Sequence, residues 1–179
     1  MTESGRAACI AIAGRPGSGK TTLAPKLAEA LRVPLISRDR IKEGRLVTLA
    51  QEHEVLPPDT NRLVSHCFAA TVRGLLKAGV SVVAEAAFQH HGWQAPMASF
   101  RSLATVRLLL CVVPTALATE RMRERVIRDP AHSWFHGAGH PRADWTEPAF
   151  EVPTLRVDTS DGYRPGFEAL VAFGRGDPA

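Results

Sequence analysis

Gly14-Arg15-Pro16-Gly17-Ser18-Gly19-Lys20-Thr21 has the form G-x-x-x-x-G-K-[ST], a loop built to cradle phosphates. Before it stands Ala8-Cys9-Ile10-Ala11-Ile12-Ala13, an apolar run of strand length. After it, Thr22-Leu23-Ala24-Pro25-Lys26-Leu27-Ala28-Glu29-Ala30-Leu31 reads as an amphipathic helix. Strand, glycine loop and helix in that order give the octet its meaning. Gly14, Gly17 and Gly19 permit a backbone path that turns successive N–H groups inward as an anion nest. Pro16 and Ser18 complete the loop, and the helix N-terminus adds partial positive charge beneath the phosphates. Lys20 is expected at the β- and γ-phosphate oxygens, the Thr21 hydroxyl on Mg²⁺, and Thr22 at the α-phosphate.

Outward from this octet, the 179 residues alternate between strand and helix patterns. Strands are expected over 8–13, 33–37, 80–85, 106–113 and 154–158. Helices are expected over 20–32, 40–51, 60–78, 93–103, 115–128 and 165–173, with Asp59 as the cap of the third. The alternation predicts one α/β domain, a three-layer α/β/α fold around a five-stranded parallel sheet joined by right-handed crossovers. The segment 129–153 is rich in Pro, Gly, His and Trp and has no core-facing period, so it reads as a lid over the site.

In a parallel sheet all strands end on one edge, and the ligand sits there. Two carboxylates should therefore meet the phosphates. Asp39, in Ser37-Arg38-Asp39-Arg40, is placed to take the proton of an attacking hydroxyl; equally, it is a good N-cap for a helix starting at Arg40. Glu85 ends the third strand, where an acid would hold a Mg²⁺-bound water; the plainer reading is a solvated strand end. Arg121, Arg125 and Arg128 share a helical face that would clamp a transferring phosphate or, more simply, face solvent beside Glu120 and Glu124. Arg38, Lys42 and Arg62 are the candidate acceptor-binding cations, although they too suit an exposed helix face.

The remaining composition narrows the classes. A net charge of +4 suits an anionic ligand without requiring nucleic acid, and 18 of the 22 basic residues are Arg. No run approaches the roughly 18 apolar residues of a membrane span. Cys9, Cys67 and Cys111 lack metal-site spacing and read as reduced core thiols of a cytoplasmic protein without a signal peptide. His132, His136 and His140 have helical spacing, but the surrounding Pro and Gly argue against a zinc site.

The motifs Gly14–Ala24, Ser37-Arg38-Asp39-Arg40-Ile41-Lys42, Val82-Val83-Ala84-Glu85-Ala86-Ala87-Phe88, the Arg-rich helix and Leu155-Arg156-Val157-Asp158-Thr159-Ser160-Asp161-Gly162-Tyr163 stand in this order. Together they make the chain resemble the small phosphate-loop kinases grouped with polynucleotide 5′-kinase and chloramphenicol phosphotransferase. The resemblance implies ATP- and Mg²⁺-dependent phosphorylation of a hydroxyl, with Lys20, Asp39 and Arg125 catalytic. It places Arg121, Thr159, Ser160 and Asp161 near the adenine. Glu85 departs from the family's usual Asp at that strand end. The expected acceptor is an antibiotic, sugar or nucleoside-like small molecule. A polynucleotide 5′-hydroxyl is the rival within the enzyme class, and an ATP-binding adaptor or switch the rival outside it. The chain carries neither the N-K-x-D nor the D-x-x-G motif of a GTPase.

Overall fold

A computed structural model describes residues 5–49, 57–128 and 145–177. Five parallel strands form one sheet in the order β2-β3-β1-β4-β5. They are β1 (Ala8–Ala13), β2 (Leu35–Ser37), β3 (Val82–Glu85), β4 (Thr105–Val112) and β5 (Thr154–Asp158). The described helices are α1 (Lys20–Leu31), α2 (Arg38–Leu49), α3 (Thr60–Lys77), α4 (His90–Leu103), α5 (Thr115–Arg128) and α6 (Phe167–Arg175).

Alternation along the strands decides which side chains enter which layer. Cys9, Ala11 and Ala13 of β1 face one core with Phe68 and Val72 of α3 and Met97 and Phe100 of α4. Ile10 and Ile12 face the other with Leu23 and Leu27 of α1 and Leu170 of α6. Both cores are closed to solvent, and truncating a ring such as Phe68 would cost about 3–5 kcal/mol. Small residues on one face of β1 let α3 and α4 approach closely. Larger ones on the other face fill the space beneath α1.

Several boundaries differ from those expected, each for a local reason. β2 starts at Leu35 because Arg32 turns left-handed (φ 57°) and Val33 N–H still bonds back to Ala28 O at 3.0 Å, closing α1. β3 starts at Val82 because Val80 N–H closes α3 on Leu75 O at 2.9 Å. α2 begins at Arg38, two residues early. Asp39 is therefore inside its first turn and does not cap it; Ser37 Oγ accepts the Arg40 N–H instead, at 3.5 Å. Asp59 does occupy the cap position of α3, yet its carboxylate makes no capping bond and pairs with Arg62 at 3.6 Å. Cys67 is exposed, against the expectation of a core thiol, whereas Cys9 and Cys111 are buried and their thiols pushed up to about 12 by loss of solvent.

The proposed lid divides. Residues 129–144, with Trp134, His132, His136 and His140, lie outside the described residues. The stretch 145–153 is packed against the body: Trp145, Phe150 and Val152 rest on the core beneath β3 and α4. Of the expected lid 129–153, these last residues alone are described. Its last part behaves as a strap, because its apolar side chains, few and irregularly spaced, still find a buried surface. Among the described residues no helix is long and apolar enough to cross a membrane.

Candidate active site

The parallel registers bring the strand ends to one edge. Ser37 aligns with Glu85, Glu85 with Ile12, and Val112 with Asp158. The phosphate loop leaves β1 at the centre of this edge, and a cleft of about 830 Å³ opens over it. The glycines are required by contact as well as by conformation. Gly17 has φ 80°, and a Cβ there would stand 2.3 Å from Ala118 O. Gly14 has φ 147°, and its Cβ would meet Ser18 Oγ at 2.4 Å and Cys111 O at 2.6 Å.

Lys20 is almost wholly buried at the start of α1, and its Nζ donates to Arg15 O at 2.9 Å. Burial holds its pKa below the ordinary lysine value, opposed by the negative fields of Glu85 and then Asp39. The charges of both carboxylates expected near the phosphates are thus felt at the loop lysine. Glu85 is 1% exposed, so burial raises its pKa, while Lys20 and the Ser37 hydroxyl pull it back down. Ser37 Oγ donates to Glu85 Oε2 at 2.6 Å. Glu85 Oε1 is buried with no hydrogen-bond partner. A buried carboxylate oxygen left over beside a phosphate loop fits a Mg²⁺ site, because Mg²⁺ takes few protein ligands and fills the rest with phosphate and water. Thr21, at the cleft wall, would supply the hydroxyl. Among the described residues there is no cluster of three or more His, Cys, Asp or Glu side chains that could hold a metal ion.

On the β4–β5 side, Thr159 ties the loop after β5 to the phosphate loop from behind. Its Oγ1 donates to Ser18 O at 2.9 Å and its N–H to Val112 O at 3.1 Å. Arg121 holds the same loop, with Nη2 donating to Thr159 O at 2.8 Å and Ser160 O at 3.0 Å. Arg125 and Arg128 line the cleft, and the charge of Arg125 is felt at both Lys20 and Glu85. Pro16, Thr22 and Thr159 are also at the wall; Ser18 is fully buried beneath it. Asp161 is not among the lining residues. Gly162 and Tyr163 are, with Lys26 5.7 Å from the Tyr163 ring centroid. Sequence reasoning missed Lys26 and Tyr163, although Tyr163 is the chain's one tyrosine and directly follows the predicted base-contacting loop.

On the β2–β3 side stand Arg38, Asp39, Lys42 and Arg62, all four at the cleft wall. Asp39 remains 46% exposed, open to a ligand, with Arg38 Nη1 3.4 Å from its Oδ1. Arg38 is held across to α3 by Ser65 Oγ at 3.1 Å and by the backbone and side-chain oxygens of Asn61 at 3.3 Å. It braces Asp39 against α3 as well as facing the cleft. Asn61, Ser65, Gln89 and Trp93 also line this side and were not anticipated, and Trp145, from the expected lid segment, lines it too. Ser37 could have been found: a polar residue ending β2 faces the acid ending β3 once the strands are paired in parallel.

A family described as an AAA domain matches residues 10–137, most of the chain. The chain belongs to this family. It is also similar to solved structures of small phosphate-loop kinases, all at low identity, so that the likeness speaks for the fold. A Chloroflexus aurantiacus J-10-fl protein, a kinase by assignment, is 24% identical with TM-score 0.77, over 97% of this chain and 99% of that one. A gluconokinase of Sinorhizobium meliloti 1021 is 20% identical with TM-score 0.55, over 92% and 87%. An APS kinase of Mycobacterium tuberculosis, in complex with AMPPNP and APS, is 14% identical with TM-score 0.64, over 93% and 96%. No curated protein sequence matches. This AAA-domain chain thus has the phosphate-loop nucleotide-binding fold of the kinases, with a five-stranded parallel sheet.

Proposed function

We propose that the protein transfers the γ-phosphoryl group of ATP to a hydroxyl of a small-molecule acceptor. One observation carries this reading. A solvent-accessible carboxylate, Asp39, stands in the same cleft as the phosphate-loop lysine and close enough to act on its charge. A nucleotide-binding adaptor has no use for such a base.

The nucleotide would lie towards β4 and β5, against Lys26, Thr159 and Tyr163, with its phosphates on the loop N–H groups and Lys20. The acceptor would enter from β2 and β3. Its oxygen forms a bond to the γ-phosphorus while its proton passes to a carboxylate oxygen of Asp39. The bond from the γ-phosphorus to the β–γ bridging oxygen breaks, and ADP leaves with that electron pair. Lys20 and Arg125 neutralise the charge that develops on the phosphoryl and leaving oxygens. Mg²⁺ would be held by Thr21 and by Glu85, directly or through water, and would supply further charge neutralisation.

The cations on the acceptor side support a small ligand more than a polymer. Arg38 satisfies oxygens of α3 and Arg62 pairs with Asp59, so these do not form an open basic track. The test is ADP formation with Mg·ATP against hydroxylated metabolites and a 5′-hydroxyl oligonucleotide, with the phosphorylated product identified by mass. A phosphorylated small molecule supports the proposal. An oligonucleotide product transfers it to polynucleotides, and nucleotide binding without any acceptor-dependent ADP leaves an adaptor.

A further inference from the structure

The acceptor side of the cleft has a wall that phosphoryl transfer itself does not require, and that wall is aromatic. Trp93 lines the cleft with its indole 7% exposed, backed edge-on by Phe68 and Phe88 at centroid distances of 5.4 and 4.9 Å. Trp145 lines it as well, and its indole is fixed from several directions. Nε1–H donates to Ala87 O at 3.3 Å. The Arg15 guanidinium lies 5.9 Å from its ring centroid and is itself hydrogen-bonded to the Thr115 hydroxyl. Trp145 is half-buried and lines the cleft.

The strap carrying Trp145 is tied down at several points: Glu151 to Arg101 of α4 at 3.7 Å, Glu147 to Arg156 of β5, and, nearest its middle, His90 at the start of α4. Ala149 N–H donates to His90 Nδ1 at 3.2 Å. Phe150 stacks on the same imidazole at 5.8 Å and 24°. Gln94 meets the other ring nitrogen at 2.9 Å, and the His91 ring packs edge-on at 5.3 Å. His90 is not itself at the cleft wall, so its effect on a ligand runs through the strap.

We propose that Trp145 determines acceptor specificity, that the acceptor is a ring-bearing alcohol which lays an apolar face on this indole, and that His90, through the middle of the strap, is a residue positioning it. This rests on the phosphotransferase reading above and narrows its acceptor. A fixed, flat, apolar wall opposite polar groups on α2 and α3 complements a ring, whose apolar face is rigid and whose hydroxyls stand at its edge. An open-chain polyol covers little of a flat indole and loses torsional freedom when it does.

Saturation-transfer NMR with phenyl β-glucoside and with sorbitol, both in the presence of Mg²⁺ and an unhydrolysable ATP analogue, tests this without turnover. Wild type and Trp145→Phe should transfer saturation to the glucoside and leave sorbitol at background. In Trp145→Ala and His90→Ala the glucoside signal should fall by about five-fold while analogue affinity holds. If Trp145→Ala fails to fold, His90→Ala, which removes nothing from the cleft wall, decides the matter. Absence of transfer to the glucoside in wild type, equal transfer to sorbitol, or a signal that survives both substitutions would overturn the proposal. Failure of the kinase reading is distinct: glucoside binding would follow the expected pattern while no acceptor yields ADP.

Discussion

The two sides of the cleft are built in different ways. Towards β4 and β5 the site is mostly backbone: a glycine loop, a helix N-terminus, and the loop after β5 locked to them by Thr159 and Arg121. Towards β2 and β3 it is side chains from α2, the start of α3, the turn after β3, α4 and the strap. A backbone site needs a short contiguous sequence with obligatory glycines, since a Cβ at Gly17 would strike Ala118 O. A side-chain site can be assembled from distant positions by packing. In the proposed reaction the first would grip the nucleotide, and the second would be where an acceptor is chosen.

This contrast can be broken most severely at the centre. Lys20→Ala should abolish acceptor-dependent ADP formation, by at least about 10³-fold, because it removes the buried cation facing the transferring group. Near wild-type turnover in a coupled assay would dismantle both sides at once.

A smaller effect is expected behind the nucleotide grip. Thr159→Val keeps the shape but strips the hydroxyl that satisfies Ser18 O. ATP affinity should fall by about three- to ten-fold, consistent with one lost buried hydrogen bond. The acceptor KM should stay unchanged, and calorimetric titration with an ATP analogue reads the first of these. An equal loss on both substrates would mean that the two sides are not separable.

The smallest expected effect is on metal dependence. Burial holds the Glu85 carboxyl above the usual range, so it is more protonated in the fold than in water at mildly acidic pH. Mg²⁺ needs the carboxylate, so the Mg²⁺ concentration for half-maximal nucleotide binding should fall by a few fold as pH rises through that raised pKa. Glu85→Gln should flatten this dependence. A wild-type profile as flat as the variant's would take Glu85 out of the metal site.

The same contrast explains what the sequence made legible. The five-stranded parallel sheet, the loop glycines, Lys20 and the placing of Asp39 and Glu85 on one edge followed from a contiguous motif and from parallel strands ending together. The start of α2 did not. Asp39 looked like a cap because Asp is a favoured cap residue, whereas the buried Ser37, already bound to Glu85, took that place. Trp145 and His90 carried no local signal. Their roles arise from contacts such as Trp145 to Ala87 and Ala149 to His90, which span more than fifty residues and depend on how the strap packs. The α5 arginines were legible as a face but not as individuals: Arg121 secures the loop after β5, while Arg123 turns to Glu120 at 3.6 Å.

The central claim is that Asp39 serves the acceptor and not the nucleotide. The most direct test is Asp39→Asn, assayed side by side with wild type for acceptor-dependent ADP formation and for affinity for an ATP analogue. The expected result is a kcat lower by roughly 10²–10⁴-fold with nucleotide affinity almost unchanged. Normal turnover in Asp39→Asn, accompanied at most by earlier melting, would contradict it.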